Sequence, residues 1–91
     1  MGLYDNEEME KTTESEEYIK LIGWLKDCRL ERNLSLRQLA AKMKISHTYI
    51  QKIETNQRRL DVYEYVTYCR ALGVNPSAGL RFFAEPLEDK K

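Results

Sequence analysis

The chain has 91 residues, 42% of them hydrophobic and 33% charged. That length suits one small domain and leaves little for a second core. No apolar run is long enough to span a bilayer and none has the form of a signal peptide, so a soluble, cytoplasmic protein is expected. The formal net charge of +0 hides a segregation. Residues 1–17 hold seven acids (Asp5, Glu7, Glu8, Glu10, Glu14, Glu16 and Glu17) against Lys11, a net of −6. Residues 18–84 hold twelve Lys and Arg against five acids, a net of +7, and residues 85–91 carry −1. A basic core of this kind is the electrostatic footprint of a nucleic-acid binder.

Taken in chain order, residues 1–17 form an acidic arm rich in Glu, Thr and Ser, without periodicity, and disorder is expected there. Residues 18–84 form the domain, and 85–91 a short tail. A first helix is predicted from about Glu17 to Arg32, with Leu21, Ile22, Leu25 and Cys28 in its apolar stripe, joined by Arg29. Asn33 ends it and Leu34 packs beneath the turn. Ser35 caps a second helix that ends near Met43. Leu36, Leu39, Ala40 and Met43 share one face of it, and Ala40 sits where two steeply crossing helices need a small residue. Lys44-Ile45-Ser46 is a three-residue turn whose serine caps a third helix, His47 to about Glu54, with Ile50 and Ile53 facing inward. A loop from Thr55 to Leu60 carries Arg58 and Arg59. Asp61 caps a fourth helix, Val62 to Leu72, stopped by Gly73. Its expected inward residues are Val62, Tyr65 or Val66, Cys69 and Leu72. Asn75-Pro76 opens a fifth helix that runs through Leu80 to about Phe83. No segment reads as a strand, so the fold class is all-α.

Burying those stripes leaves His47, Thr48, Gln51 and Lys52 on the outside of the third helix, and Arg37, Gln38 and Lys42 on the second. The set is polar or basic and contains no carboxylate, which suits phosphates and base edges. The segments LKDCRLERNLSLRQLA, ISHTYIQKIE, RRLD and CRALGVNP resemble the lambda-repressor-like (xenobiotic-response-element) helix-turn-helix regulators. The resemblance runs from about Leu21 to Phe83 and implies a compact five-helix domain that binds double-stranded DNA. His47, Thr48 and Lys52 fall at the family's base-contacting positions, with Gln51 and Tyr49 as secondary candidates. The expected phosphate contacts are Arg37, Gln38, Lys42, Lys44, Tyr49, Asn56, Arg58 and Arg59. Arg29 and Glu54 match a structural ion pair that joins the first helix to the end of the third. The chain departs from the family in carrying Lys44 and Asn56 where glycine is usual, and Leu36 where glutamine is common.

The remaining expectations are negative or open. His47 is the only histidine and no cluster keeps metal-ligand spacing, so neither metal nor cofactor is expected. Nothing resembles a nucleophile elbow, a phosphate loop or a paired carboxylate site, so no enzyme is expected. Cys28 and Cys69 fall on apolar faces and read as reduced core cysteines. Trp24, Tyr63, Tyr68, Phe82 and Phe83 either complete the core or form a dimer seam. The family implies a homodimeric repressor on an inverted repeat, since two recognition helices one DNA turn apart read a palindrome. The acidic arm has three readings: a solubilising tail, a competitor for the basic face, or an arm that docks a protein partner. Small proteins resembling this family also act as antitoxins, which makes a partner-neutralising module the alternative. RNA binding is disfavoured, because the deep major groove of an A-form duplex excludes a recognition helix.

Overall fold

The computed structural model describes residues 15–84. Residues 1–14 of the acidic arm and the tail from 85 onward lie outside the described residues, with the expectations attached to them. Ser15, Glu16 and Glu17, expected to be disordered with the arm, instead cap and open the first helix. Among the described residues there are five α-helices: α1 (Glu16–Glu31), α2 (Leu36–Met43), α3 (His47–Glu54), α4 (Val62–Leu72) and α5 (Pro76–Gly79). A 3-10 turn over Leu80–Phe83 continues α5, so the expected fifth helix is split in two. No strand occurs among the described residues, and the fold is all-α.

Each helix starts where a short polar side chain caps it. Ser15, Ser35, Ser46, Asp61 and Asn75 each accept a hydrogen bond from a backbone N–H in the first turn that follows. At Ser35 and Asp61 the cap is reciprocal, because the Gln38 and Glu64 side chains accept in turn from the cap residue's own N–H.

The first four helices end in one way, with a residue in the left-handed region. Asn33 (φ 56°), Lys44 (φ 62°), Asn56 (φ 62°) and Gly73 (φ 77°) hold these positions. At each, the following residue's N–H reaches back five residues: Leu34 to Arg29, Ile45 to Ala40, Gln57 to Lys52 and Val74 to Cys69. Only one of the four uses glycine. The two asparagines tolerate the conformation at little cost, whereas Lys44 carries an ordinary side chain where the family favours none.

The core is built from one stripe per helix: Tyr18, Leu21, Ile22, Leu25 and Cys28 of α1, Leu39, Ala40 and Met43 of α2, Ile50 and Ile53 of α3, and Tyr65, Tyr68, Cys69 and Leu72 of α4. Both cysteines are buried and free, and burial pushes both thiols up from their usual pKa. Val62, expected inward, is 80% exposed. It is the first residue of α4, and the buried stripe of that helix is 65, 68, 69 and 72, which begins nearly one turn further on and leaves residue 62 beyond the edge of the core. The aromatic residues divide. Tyr68 is fully buried, while Trp24 and Phe82 are partly buried against the core with ring centroids 6.3 Å apart. Tyr63 and Phe83 stay exposed. Helix α5 crosses α1 so closely that a Cβ at Gly79 would lie 2.5 Å from the Tyr65 hydroxyl and 2.6 Å from Trp24.

Candidate nucleic-acid interface

Helices α2 and α3 are joined by Lys44, Ile45 and Ser46 and pack through Leu39, Ala40, Met43, Ile50 and Ile53, all buried. Ala40 supplies the small contact that lets the two axes cross. With those side chains inward, Thr48, Gln51 and Lys52 are exposed on one side of α3, and His47 is half-buried at its first turn. Arg37, Gln38, Lys42 and Lys44 are exposed on α2 and the turn. Gln38 already uses its side-chain oxygen to accept from the Ser35 N–H at 2.8 Å, leaving its amide NH2 as the free donor.

The only carboxylate between Ser35 and Arg59 belongs to Glu54, and it is withdrawn from this face. Its side chain is 4% exposed. Arg29 donates to it through two nitrogens, at 2.8 and 2.9 Å, and through a third to the Leu34 carbonyl at 2.7 Å. This confirms the ion pair expected of Arg29 and Glu54. The hydrogen bonds to Glu54 come first among the causes that hold the Arg29 guanidinium above its ordinary pKa, ahead of the burial that opposes it. The Tyr68 hydroxyl donates to the same carboxylate. Burial first, and then the neighbouring Glu54, push the phenol well above its usual pKa. One buried carboxylate thus ties the end of α3 to α1 and to the middle of α4. Tyr68 is absent from the sequence-based site; a fourth-helix tyrosine carries no motif that points to it.

The Thr55–Leu60 loop is held differently. Tyr18 of α1 accepts from the Leu60 N–H at 3.0 Å, a buried contact across 42 positions that no local pattern announces. Arg58 lies with its guanidinium 4.4 Å above the Tyr49 ring and 3.3 Å from Glu64 of α4. Its side chain remains 46% exposed. Arg59 and Asn56 are half-buried, and the Asn56 side-chain oxygen is buried without a partner. Tyr49 is not brought to the outer face. Its hydroxyl is buried and unpartnered, and Arg58 lies over its ring, so it presents no outward polar atom for the phosphate contact expected of it.

The chain has six cations between Ser35 and Arg59, namely Arg37, Lys42, Lys44, Lys52, Arg58 and Arg59, against one buried, paired carboxylate. No helix among the described residues is long and apolar enough to cross a membrane.

This two-helix unit with a basic outer face is that of a helix-turn-helix protein, and comparison with known proteins agrees. The Helix-turn-helix family model matches residues 25–78. The chain is similar to an XRE-family like protein from Pseudomonas syringae pv. tomato str. DC3000, at 32% identity and a TM-score of 0.74 over 81% of this chain and 92% of the other. It is also similar to the wild-type restriction-modification controller protein C.Esp1396I, at 28% identity and a TM-score of 0.68 over 81% of this chain and 97% of that one. No curated protein matches it. The chain belongs to the XRE family of helix-turn-helix proteins and is a DNA-binding transcriptional regulator.

Proposed function

We propose that the protein is a sequence-specific regulator that binds double-stranded DNA as a homodimer and represses transcription from an inverted-repeat operator. In this reading α3 lies in the major groove, where Thr48, Gln51, Lys52 and His47 meet base edges. Arg37, Gln38, Lys42, Lys44, Asn56, Arg58 and Arg59 meet phosphates on either side of it. The observation that carries the reading is the removal of Glu54 from the outer face. A carboxylate left there would repel the phosphate backbone; turned inward onto Arg29, it leaves α2 and α3 without an exposed acid. The homodimer is supported by exposed apolar side chains outside α2 and α3: Val62 (80% exposed), Tyr63 (77%), Leu80 (52%) and Phe83 (42%). Repression is the simplest outcome of a bound dimer that overlaps a promoter.

Selection from random duplex DNA at about 0.15 M salt tests the reading. An enriched palindrome with half-sites about one helical turn apart is expected. Sedimentation of the operator complex is expected to show two chains per site. Retention without sequence enrichment, vanishing as salt rises, would remove base readout and leave only a basic surface.

A further inference from the structure

Arg58 is the one candidate phosphate contact that already has an anionic partner within the fold. Its Nη2 donates to Glu64 Oε2 at 3.3 Å, and its guanidinium carbon lies 4.4 Å from the centre of the Tyr49 ring of α3. Glu64 is not a wandering surface acid. Its other oxygen, Oε1, accepts from the Asp61 N–H at 3.0 Å in the reciprocal cap of α4, and its side chain is 20% exposed. The carboxylate is therefore fixed in place before DNA arrives. Arg58 is 46% exposed and can leave. No other cation of the expected phosphate set has an ion-pair partner among the described residues: the only further pairs are Arg29 with Glu54 and Arg32 with Glu31.

We infer that Glu64 is an internal stand-in for a DNA phosphate that competes with the duplex for Arg58 and so sets the strength of DNA binding. The inference rests on the DNA-binding reading above. A cation that must leave an internal carboxylate before it reaches a phosphate gains less from any duplex. The loss is the same on random DNA and on the operator, because Arg58 must be freed for both. Glu64 thereby lowers affinity for every duplex by one common factor without touching a base. An exposed pair of this kind is weak, and its weakness makes it exchangeable.

The test uses Glu64→Gln, because glutamine keeps the capping acceptor while removing the charge. An unchanged melting temperature checks that α4 is intact. The full chain is titrated with random duplex and with the selected operator at about 0.15 M salt. Glu64→Gln is expected to tighten random-duplex binding about two- to fivefold, the range that a surface ion pair supplies. Operator binding is expected to tighten by the same factor, so that the ratio between the two is unchanged. In an Arg58→Gln background the same change is expected to do nothing.

Three outcomes overturn the inference. One is no tightening in the wild-type background. Another is equal tightening in the Arg58→Gln background, which would mean that Glu64 merely repels DNA through space. The third is destabilisation by Glu64→Gln accompanied by loss of binding, which would make the residue a helix cap alone. Failure of the wild-type chain to prefer any operator is a separate result; it overturns the DNA-binding reading, and this inference falls with it.

Discussion

Two ion pairs hold α3, and they differ in almost everything except their chemistry. Arg29 and Glu54 meet at 8% and 4% side-chain exposure, with a third donor from Tyr68. Arg58 and Glu64 meet at 46% and 20%, at the longer distance of 3.3 Å. In the first pair both charges have left water, so removing either partner strands the other. In the second, water is an acceptable substitute for either partner. The buried pair therefore sets where α3 sits, and the exposed pair is, in the proposed reading, what a DNA phosphate would displace.

Breaking the buried pair gives the largest effect. Arg29→Met leaves the Glu54 carboxylate in the core with only Tyr68 to satisfy it, at a cost of about 3–5 kcal/mol. That is comparable to the whole stability of a small domain. Thermal denaturation followed by circular dichroism should show a collapsed or absent transition. A wild-type melting temperature would mean that the pair is solvated and the contrast false.

Alkali should act on the buried side of the comparison next. Burial is the first cause that raises Tyr18, Tyr65 and Tyr68 above the usual tyrosine pKa of 10.0, and Cys28 and Cys69 above 9.0. A raised folded pKa means that the unfolded chain gives up its proton first. The stability these groups contribute is complete below pH 9 and is lost as pH climbs through 10 toward the folded values. Each group that stays protonated in the fold costs about 1.4 kcal/mol per pH unit over that window. Urea midpoints should be level from pH 7 to about 9 and fall steeply beyond. A midpoint that rose above pH 10 would contradict the burial of Tyr68.

Tyr68→Phe sharpens the same contrast with a smaller change. It removes one donor from Glu54 while Arg29 keeps both of its own, so a loss of about 1–2 kcal/mol is expected, with the urea m-value unchanged. Loss as large as that of Arg29→Met would show that the hydroxyl, not the guanidinium, carries the buried site.

Much of this arrangement was legible before any coordinates. The caps at Ser35, Ser46 and Asp61, the stop at Gly73 and the stripes of α2 and α3 follow from local rules, and the element bounds landed within about a residue. Arg29 and Glu54 came from the resemblance. Contacts made by residues far apart in sequence were not legible: Tyr68 with Glu54, Tyr18 with Leu60, and Arg58 with Tyr49 and Glu64. A tyrosine buries its ring for one reason and aims its hydroxyl for another, and periodicity reports only the first. Tyr49 shows the cost, since an aromatic residue next to the recognition surface reads as outward until its hydroxyl is found buried. Val62 failed for a simpler reason: a helix's first residue matches the stripe by count yet lies past the core that the stripe covers.

Lys44 separates backbone strain from charge in the turn between α2 and α3. Its φ of 62° costs a non-glycine residue about 1 kcal/mol, so Lys44→Gly should raise stability by about 0.5–1 kcal/mol. The same change removes one expected phosphate contact, so the salt dependence of DNA binding should shallow by about 0.9 in log–log slope. A more stable variant with an unaltered slope would take Lys44 out of the phosphate set and leave the others in place.

The smallest expected effect is the one that defines the exposed pair. Arg58→Gln removes a half-exposed ion pair and a cation–π contact together, yet stability should change by only about 0.5–1 kcal/mol. Raising salt should narrow the small difference in melting temperature between the two proteins, because an exposed pair is the kind that screening weakens. Random-duplex binding, by contrast, should weaken and lose salt sensitivity, since the phosphate that Arg58 reaches is then unpaired. A residue that is nearly silent in the free protein and audible only with DNA is what an exchangeable contact requires. If Arg58→Gln instead melted as early as Arg29→Met, the loop would be a structural brace, and the distinction between the two anchors of α3 would fail at its weaker end.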